Sequence, residues 1–482
     1  MPRLATLATL LLPSVFLSAQ DHLAAPGIAF TEVKARRSDT VMREGWLEVA
    51  EDPAHPEGRR IRLHVMVLPA RNGHPKPDPV FFLAGGPGQG AATMAEWMLD
   101  EWVRDDRDLV LVDQRGTGLS NPLRVETPGN DDDPAGYLKP IFVPENFAKA
   151  RVQLEKHADL RFYTTPIAMD DLDAVRAALG YEKIDLYGGS YGTRAALVYM
   201  RQHHEHVRCA ILDGVAPIAF ENPLHHARSA QDGLDRLAEE CAADPARHAA
   251  YPDLHADMAT ILAKLAEHPV DVAIDWHGKQ LSVPLDRDSF TGAFRILMYS
   301  AESNRRAPLL LHRAAQGDFG PFAELAIASN RNLNASLALG MLMCVTASED
   351  LSRITEDEIV RECKDTFLGE SRVRAQLAVA KVWPKGELPD DYAQPVAVDV
   401  PTLLLSGTHD PVTPPRWGAE AASHLKNSLH VVVDGCHGVG QGPRMERLMR
   451  EFLDRASVED LDQSGIDEIR MDPIVLPDTH GR

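Results

Sequence analysis

Short apolar runs alternate with helix-like segments through the first half of the chain. The clearest helix is predicted over 166–179, with Thr165 as N-cap, Pro166 at the first helical position and Gly180 just past its end. The apolar runs are bounded by Gly, Pro or Asp and are partly β-branched, as in buried strands of a largely parallel sheet. They span 61–68, 79–84, 108–112, 183–187 and 209–212. Strands that alternate with helices predict an α/β fold with a doubly wound sheet.

The pattern becomes mainly helical after Pro217. Helix-like segments lie at 234–241, 258–267 and 307–315, and a hairpin is predicted from 272–276 and 280–283. Strand-like runs resume at 400–405 and 429–433, and a helix over 445–456 follows.

We therefore predict a sheet domain built from residues 20–217 and 399–456, with a mainly helical insertion over 218–398. An insertion at this point suits a cap over the strand ends, where the active sites of α/β proteins lie. The acidic and irregular residues 457–482 are expected to form a C-terminal surface tail.

The N-terminus has the layout of a secretory signal peptide. Arg3 precedes a mostly apolar run from Leu4 to Leu17, and cleavage is predicted near Ala19, so that residues 1–19 are removed. A membrane anchor and a mistaken start are the alternatives. No other stretch is long and apolar enough to span a bilayer, so we expect an exported protein of the periplasm or the extracellular medium.

Composition narrows the classes of partner. The 482 residues include 50 Lys and Arg against 71 Asp and Glu, which leaves a net charge of -21. Phosphates would be repelled by such a surface, so nucleic acid is not expected as a partner. No C-x-x-C pair and no His or Cys cluster with zinc spacing occurs, and we expect neither a metal nor an organic cofactor.

Five cysteines would permit two disulfides at most in an oxidising compartment. Cys344 and Cys363 flank one segment of the cap and are the preferred pair. The alternative is that all five are reduced, buried small residues.

A candidate nucleophile follows the apolar run 183–187. Residues 188–192 read Gly-Gly-Ser-Tyr-Gly, which is a G-x-S-x-G pattern directly after a predicted strand. A serine hydroxyl needs an exposed, strained turn and a neighbouring base to act as a nucleophile, and small residues let strand and helix approach closely. Ser190 is therefore predicted to be the nucleophile.

The matching acid and base lie at the ends of later predicted strands. Asp410 follows the run 402–405, and His437 follows the last strand in a glycine-rich loop. The chain order Ser, Asp, His is that of α/β-hydrolase triads, in which His437 would be the general base and Asp410 would hold its tautomer. His409 and Asp213 are the alternative histidine and acid.

A glycine-rich loop at 85–90 follows an early predicted strand and can point backbone N–H groups at a developing oxyanion. We assign the two donors to Gly86 and to Tyr191, the residue after the nucleophile. A phosphate-binding loop is the alternative, but neither a Gly-Lys-Ser ending nor a G-x-G-x-x-G pattern is present.

Taken together, these motifs resemble those of the α/β-hydrolase serine aminopeptidases, the proline iminopeptidase and tripeptidyl aminopeptidase group. Gly85-Gly86-Pro87-Gly88, then the octapeptide at 113–120, Asp-Gln-Arg-Gly-Thr-Gly-Leu-Ser, and then the segment at 188–193 occur in the family's order. The resemblance implies an α/β-hydrolase fold with a helical cap and a serine peptidase without cofactors.

In that family, acidic residues of the cap hold the free amino terminus of the substrate. The segment 344–350 resembles the cap segment that carries one of them, and Glu349 is the candidate; the alternative is a structural or solvated acid. The resemblance thus implies an aminopeptidase acting on peptides with a free N-terminus. An esterase or lipase with the same triad, and a non-catalytic binding protein of the same fold, are the other hypotheses.

Overall fold

The computed structural model describes residues 24–25 and 27–477. The predicted signal peptide, residues 1–19, lies outside this part of the chain. Among the described helices, none combines the length and the apolar character needed to cross a membrane.

The described residues form a ten-stranded sheet at the centre of the molecule. In chain order its strands are β1 (Ala24–Ala25), β2 (Ile28–Lys34), β3 (Val41–Ala50), β4 (Arg60–Leu68), β5 (Val80–Leu83), β6 (Leu109–Val112), β7 (Ile184–Gly189) and β8 (Val207–Asp213). Two further strands, β11 (Thr402–Gly407) and β12 (Ser428–Val433), come after the hairpin β9 (Val270–Trp276) and β10 (Lys279–Leu285). The order across the sheet is β1-β2-β3-β4-β6-β5-β7-β8-β11-β12.

The part of the sheet that holds its last six strands across, β6-β5-β7-β8-β11-β12, is parallel, and the strands on the other side, β1 to β4, are antiparallel. Each neighbouring pair in the series β6-β5-β7-β8-β11-β12 is parallel. Strand β4, which we expected in the parallel part, is antiparallel to both β3 and β6. Its burial alternates only at its first residues, so the apolar pattern did not reveal the direction. The predicted α/β class with a mostly parallel sheet is confirmed.

Helices cover both faces of the sheet. They are α1 (Pro144–Leu154), α2 (Thr165–Ala178), α3 (Tyr191–His203), α14 (Pro415–His424) and α15 (Pro443–Arg455). On β4, Val65 and Val67 pack in the apolar cluster that contains α2 and α3, whereas Met66 and Leu68 pack in the cluster that contains α15. Alternate strand residues thus bury against opposite layers, which is the arrangement of a doubly wound sheet.

Helix α2 begins one residue earlier than predicted. Thr164 is its N-cap and makes no side-chain capping bond, while Thr165, the expected N-cap, is the first helical residue. The carboxylate of Glu349 accepts hydrogen bonds from the Thr165 backbone N–H (2.6 Å) and Oγ1 (2.8 Å). A distant side chain therefore satisfies a free amide of the first turn, a role that local cap signals cannot reveal.

Between β8 and β11 lies the mainly helical insertion. Its helices are α4 (His226–Ala243), α5 (Pro245–Ala250), α6 (Leu254–Glu267), α7 (Arg287–Leu297), α8 (Ala301–Asn304), α9 (Ala307–Ala315), α10 (Gly320–Ser336), α11 (Leu339–Glu349), α12 (Glu356–Cys363) and α13 (Ser371–Ala380). Most of them share a separate apolar cluster with the β9–β10 hairpin. Helix α11, by contrast, packs in the cluster of α2 and α3, so the insertion is anchored in the sheet domain.

The predicted surface tail is irregular but partly packed. Leu461 and Ile466 are buried against α15, and Ile474 joins the apolar cluster of the insertion. The Val475 N–H donates to the Arg305 carbonyl oxygen at 2.9 Å. The described part of the tail therefore links the sheet domain to the insertion.

The five cysteines are buried and form no disulfide, so the preferred Cys344–Cys363 pair is wrong and the alternative of five reduced, buried residues holds. Cys344 packs in the sheet-domain cluster, where its Sγ accepts a hydrogen bond from Trp383 Nε1 at 3.3 Å. Cys363 packs in the cluster of the insertion. The two residues flank one segment in sequence, but their side chains face different cores.

Candidate active site

Ser190 lies on a strained turn between β7 and α3. Its backbone has φ 55° and ψ −124°, in the left-handed region of φ that non-glycine residues rarely adopt. A Cβ added at Gly188 would overlap the Gly192 carbonyl oxygen, and one added at Gly192 would overlap the Leu83 carbonyl oxygen. The two glycines therefore allow strand and helix to meet closely, and the turn presents Ser190 at the carboxyl end of the sheet.

Asp410 and His437 form a hydrogen-bonded pair. The loop after β11 carries Asp410, and the loop after β12 carries His437, so neighbouring parallel strands bring them together. His437 Nδ1 lies 2.7 Å from Asp410 Oδ2. Asp410 Oδ1 accepts from the backbone N–H groups of Val412 (2.8 Å) and Thr413 (2.9 Å), which fixes the carboxylate. This geometry leaves His437 Nε2 as the nitrogen free to act as a base.

The electrostatics of the pair favour a charged aspartate and a basic imidazole. Burial opposes the ionised form of Asp410, but the charge and hydrogen bond of His437 and the two backbone N–H groups hold its pKa below its ordinary value. Burial likewise opposes protonation of His437, but Asp410 outweighs it and raises the pKa of His437 above its ordinary value. Such a shift stabilises the imidazolium that forms when a base accepts a proton.

The alternative acid and histidine bind elsewhere. The Asp213 carboxylate accepts from the backbone N–H groups of Val439 (2.8 Å) and Gly440 (2.9 Å), so it fixes the loop that follows His437. His409 contacts Glu240 through Nε2 at 2.7 Å and is 1% exposed. Neither residue shares a hydrogen bond with His437.

Ser190 and His437 line one cavity of about 250 Å³, and both residues assigned as oxyanion donors line it as well. Gly86, at φ 117°, has a conformation that favours glycine, and its loop is held by a bond from the Ala338 N–H to the Gly88 carbonyl oxygen (2.9 Å). Tyr191 is the first residue of α3, so its N–H has no acceptor within the helix. The cavity is thus lined by the predicted nucleophile, the predicted base and both residues predicted to supply the oxyanion donors.

Glu349 does not line this cavity. Its side chain is fully buried behind the cavity wall, and its carboxylate also accepts a hydrogen bond from the Tyr392 hydroxyl. Thr165 Oγ1, which donates to Glu349, lies 2.7 Å from the Tyr191 hydroxyl. Burial raises the pKa of Glu349 to about 7, against the opposing charge of Arg194. In this structure Glu349 supports the residue after the nucleophile and does not face the substrate space.

Sequence reasoning missed several residues of the cavity wall. Tyr299 accepts a hydrogen bond from the His437 N–H through its carbonyl oxygen (3.0 Å), and its ring centroid lies 5.3 Å from that of His437. Thr413 Oγ1 donates to Asp410 Oδ2 at 2.9 Å. The turn-forming Asp-Pro-Val-Thr segment could have indicated Thr413. Arg295 and Arg372 also line the cavity, and no sequence signal distinguishes them from surface arginines of the insertion.

Comparison with known proteins is consistent with this geometry. Residues 78–440 match the family model described as the alpha/beta hydrolase fold. The chain is 28% identical to serine protease Hip1 of Mycobacterium tuberculosis over 435 residues, which cover 80% of this chain and 79% of that protein.

Two other relatives have different names. Carboxylesterase B of Mycobacterium tuberculosis is 28% identical over 434 residues, which cover 84% of this chain and 81% of that protein. A tripeptidyl aminopeptidase of Streptomyces lividans is 29% identical over 209 residues, which cover 39% of this chain and 38% of that protein.

Proposed function

This chain belongs to the α/β-hydrolase family and is a serine hydrolase, and on that premise we propose that it hydrolyses peptide bonds by acylation of Ser190. The observation that carries the proposal is the convergence of Ser190 and the hydrogen-bonded pair Asp410–His437 on one cavity at the carboxyl ends of the parallel strands β7, β11 and β12. The likeness to serine protease Hip1 supports a peptide as the substrate.

In the proposed reaction, His437 Nε2 takes the proton of Ser190 as Oγ attacks the scissile carbonyl carbon. The N–H groups of Gly86 and Tyr191 stabilise the negative charge on the carbonyl oxygen. His437 then returns the proton to the leaving amine, and a water molecule hydrolyses the acyl-enzyme by the same route. Asp410 stays ionised and stabilises the imidazolium at both steps.

More narrowly, we propose that the scissile bond lies near a free amino terminus. The likeness to the tripeptidyl aminopeptidase supports this position. The cavity wall offers one group for an ammonium or N–H donor, since the buried Oδ1 of Asn222 has no hydrogen-bond partner in the described part of the chain. We further propose that the enzyme is exported, on the basis of residues 1–19.

A panel of chromogenic substrates tests the reaction class. We expect peptide amides with a free N-terminus to be hydrolysed with a kcat/KM at least about tenfold higher than their acetylated counterparts, because the acetyl group removes a charged donor. The panel includes simple p-nitrophenyl esters. Hydrolysis of the esters alone, with no turnover of any peptide amide, would refute the peptidase and favour an esterase like the relative named carboxylesterase B.

Substitution of Glu349→Gln tests whether this residue holds the substrate or supports Tyr191. Glutamine cannot accept hydrogen bonds from Thr165 and Tyr392 with both terminal atoms, so the Thr165–Tyr191 contact should shift. We expect kcat/KM to fall by about ten- to a hundredfold on esters and peptides alike, since a misplaced Tyr191 N–H affects both reactions.

The variant Tyr392→Phe serves as the matched control, because it removes one donor to Glu349 without changing charge. It should give the same pattern with a smaller loss. A loss confined to peptides with a free N-terminus, with esters unaffected, would instead assign Glu349 to ammonium binding.

A further inference from the structure

Two arginines of the insertion line the Ser190 cavity without a counter-charge. Arg295 belongs to α7 and Arg372 to α13. None of the residues that line this cavity in the described part of the chain is an aspartate or a glutamate. Neither arginine forms an ion pair with any acidic residue that the structure describes.

The partners that the two guanidinium groups do have are neutral. Arg295 is 2% exposed; its Nη1 donates to the Tyr299 hydroxyl at 2.6 Å, and its Nε has no partner among the described residues. Arg372 donates from Nε to His226 Nδ1 at 3.1 Å and lies over the Phe142 ring at 5.5 Å. No described residue accepts a hydrogen bond from Arg295 Nη2 or from either Arg372 Nη atom. These donors are available to a bound group.

Apart from Arg295, the buried arginines that the structure describes are compensated. Arg107 pairs with Asp78 at 2.9 Å, and Arg115 pairs with Asp171 at 2.7 Å. Arg194, which lines the same cavity, pairs with Asp350 at 2.8 Å. Arg104 has no ion pair, but its terminal nitrogens donate to the carbonyl oxygens of Leu99 and Pro69. Arg295 and Arg372 differ from all four because their terminal nitrogens lack both an acid and a full set of acceptors.

The electrostatic state of the cavity follows from this arrangement. Burial and the neighbouring charge of Arg295 lower the pKa of Arg372 to about 9. Burial and the same two arginines hold the pKa of His226 well below its ordinary value, so its imidazole is neutral and Nδ1 accepts from Arg372. Two neighbouring cations, the buried Arg295 and the half-buried Arg372, therefore leave the cavity with a positive charge that no described acid neutralises and that a bound anion would compensate.

The arginines lie close to the reacting groups. Tyr299, whose hydroxyl accepts from Arg295, also accepts the His437 N–H through its carbonyl oxygen. Arg295 and Arg372 also line an adjoining cavity of about 170 Å³, so they stand between the Ser190 cavity and a second space in the insertion. A substrate acylating Ser190 could therefore extend past both guanidinium groups.

We propose that Arg295 and Arg372 form a carboxylate subsite, which selects substrates that carry a negatively charged carboxylate within reach of Ser190. The planar guanidinium fork matches the two oxygens of a carboxylate and binds it with paired, charge-assisted hydrogen bonds. The carboxylate belongs either to an acidic side chain or to the free C-terminus of a short peptide. This inference rests on the proposed peptide hydrolysis at Ser190 and specifies its substrate class.

Matched substrates test the subsite and distinguish the two sources. One series of peptide amides places Glu or Gln at each position around the scissile bond, and a second compares free and amidated C-termini. We expect wild type to favour one carboxylate-bearing member by about tenfold or more in kcat/KM, and the position of that preference identifies the source. In Arg372→Met the ratio should fall towards one, while Arg372→Lys should retain part of it.

A binding measurement decides the question even if no peptide is turned over. Glutarate, and glutaramide as its neutral counterpart, are titrated calorimetrically into the full chain carrying Ser190→Ala, with and without Arg372→Met. We expect glutarate to bind to Ser190→Ala, and we expect Arg372→Met to weaken its affinity about tenfold or more. Glutaramide should show no binding to either protein. Arg236→Met, at an exposed arginine of α4, is the control for loss of a positive charge.

The subsite would be overturned by the following combined result. The kcat/KM values are equal for every Glu and Gln pair and for both forms of the C-terminus, and glutarate and glutaramide do not differ in binding. That outcome with intact ester turnover leaves Ser190 as the nucleophile, so it is distinct from failure of the proposed function. If Arg372→Met fails to fold, as shown by its circular dichroism, Arg372→Gln replaces it, and the comparison of glutarate with glutaramide in Ser190→Ala alone still tests the subsite.

Discussion

Replacement of Ser190 by alanine is expected to lower kcat by on the order of 10⁴- to 10⁶-fold on peptide and ester substrates alike. The proposed reaction has no other nucleophile, because the acyl group must bond to Ser190 Oγ before water can attack. The oxyanion donors Gly86 and Tyr191 remain, so a small residual rate above the uncatalysed reaction is expected. Steady-state kinetics on purified protein, with active-site concentration determined independently, provide the measurement.

Ser423→Ala, at an exposed position of α14, is the control for removal of a hydroxyl. It should leave kcat within about twofold of wild type, since surface substitutions of this kind have small effects. Retention of more than about a tenth of wild-type kcat in Ser190→Ala would assign the chemistry to another group.

Substitution of Asp410→Asn should give the second largest effect, a fall in kcat of about 10⁴-fold. The asparagine keeps the size of the side chain, but it removes the charge that stabilises the His437 imidazolium. It also permits the wrong histidine tautomer, since its amide N–H₂ can face Nδ1. Rates are measured on the ester and the peptide amide that wild type hydrolyses fastest.

Asp213→Asn is the matched control, because Asp213 is also a buried acid at the end of a neighbouring strand. Its carboxylate binds the Val439 and Gly440 N–H groups and not His437. We expect its loss of kcat to stay below about a hundredfold, as for a displaced loop. A larger loss in Asp213→Asn than in Asp410→Asn would reverse the assignment of the acid.

The relative placement of Ser190, Asp410 and His437 could be predicted because each follows an apolar run that forms a strand. Parallel strands end at the same edge, so the loops that follow β7, β11 and β12 lie at that edge and can bring these three residues together. The resemblance to the α/β-hydrolase serine aminopeptidases led to the same residues, and membership of the α/β-hydrolase family is confirmed. The roles of the individual site residues stay predictions.

The remaining features depend on packing between segments that are distant in sequence. The family resemblance of residues 344–350 makes Glu349 a candidate ligand of the substrate. In the structure, however, its carboxylate accepts hydrogen bonds from Thr165 and Tyr392. Glu349 also accepts from the backbone N–H of Thr165, the first residue of α2, and local capping rules do not include such a distant partner. The pairing of Cys344 with Cys363 failed for a related reason, since the two helices turn these side chains to different cores.

The uncompensated pair Arg295 and Arg372 could not be found from sequence either. An arginine can be recognised as lacking an acidic partner only when all of its neighbours in space are known. Arg295 and Arg372 are 77 positions apart in the sequence. Helices α7 and α13 bring them to one cavity wall. Their charge gives the insertion a part in selecting the substrate that its helical pattern alone did not indicate.

Mapping of a covalent adduct shows whether Ser190 is the residue that is acylated during turnover. Native wild-type protein is treated with a fluorophosphonate, and the modified residue is located by peptide mass spectrometry. We predict one adduct, on Ser190, formed at a rate that falls sharply in His437→Ala, because the hydroxyl needs its base. Folded, catalytically active protein with Ser190 unmodified, or with the adduct on a different residue, would contradict the acylation of Ser190.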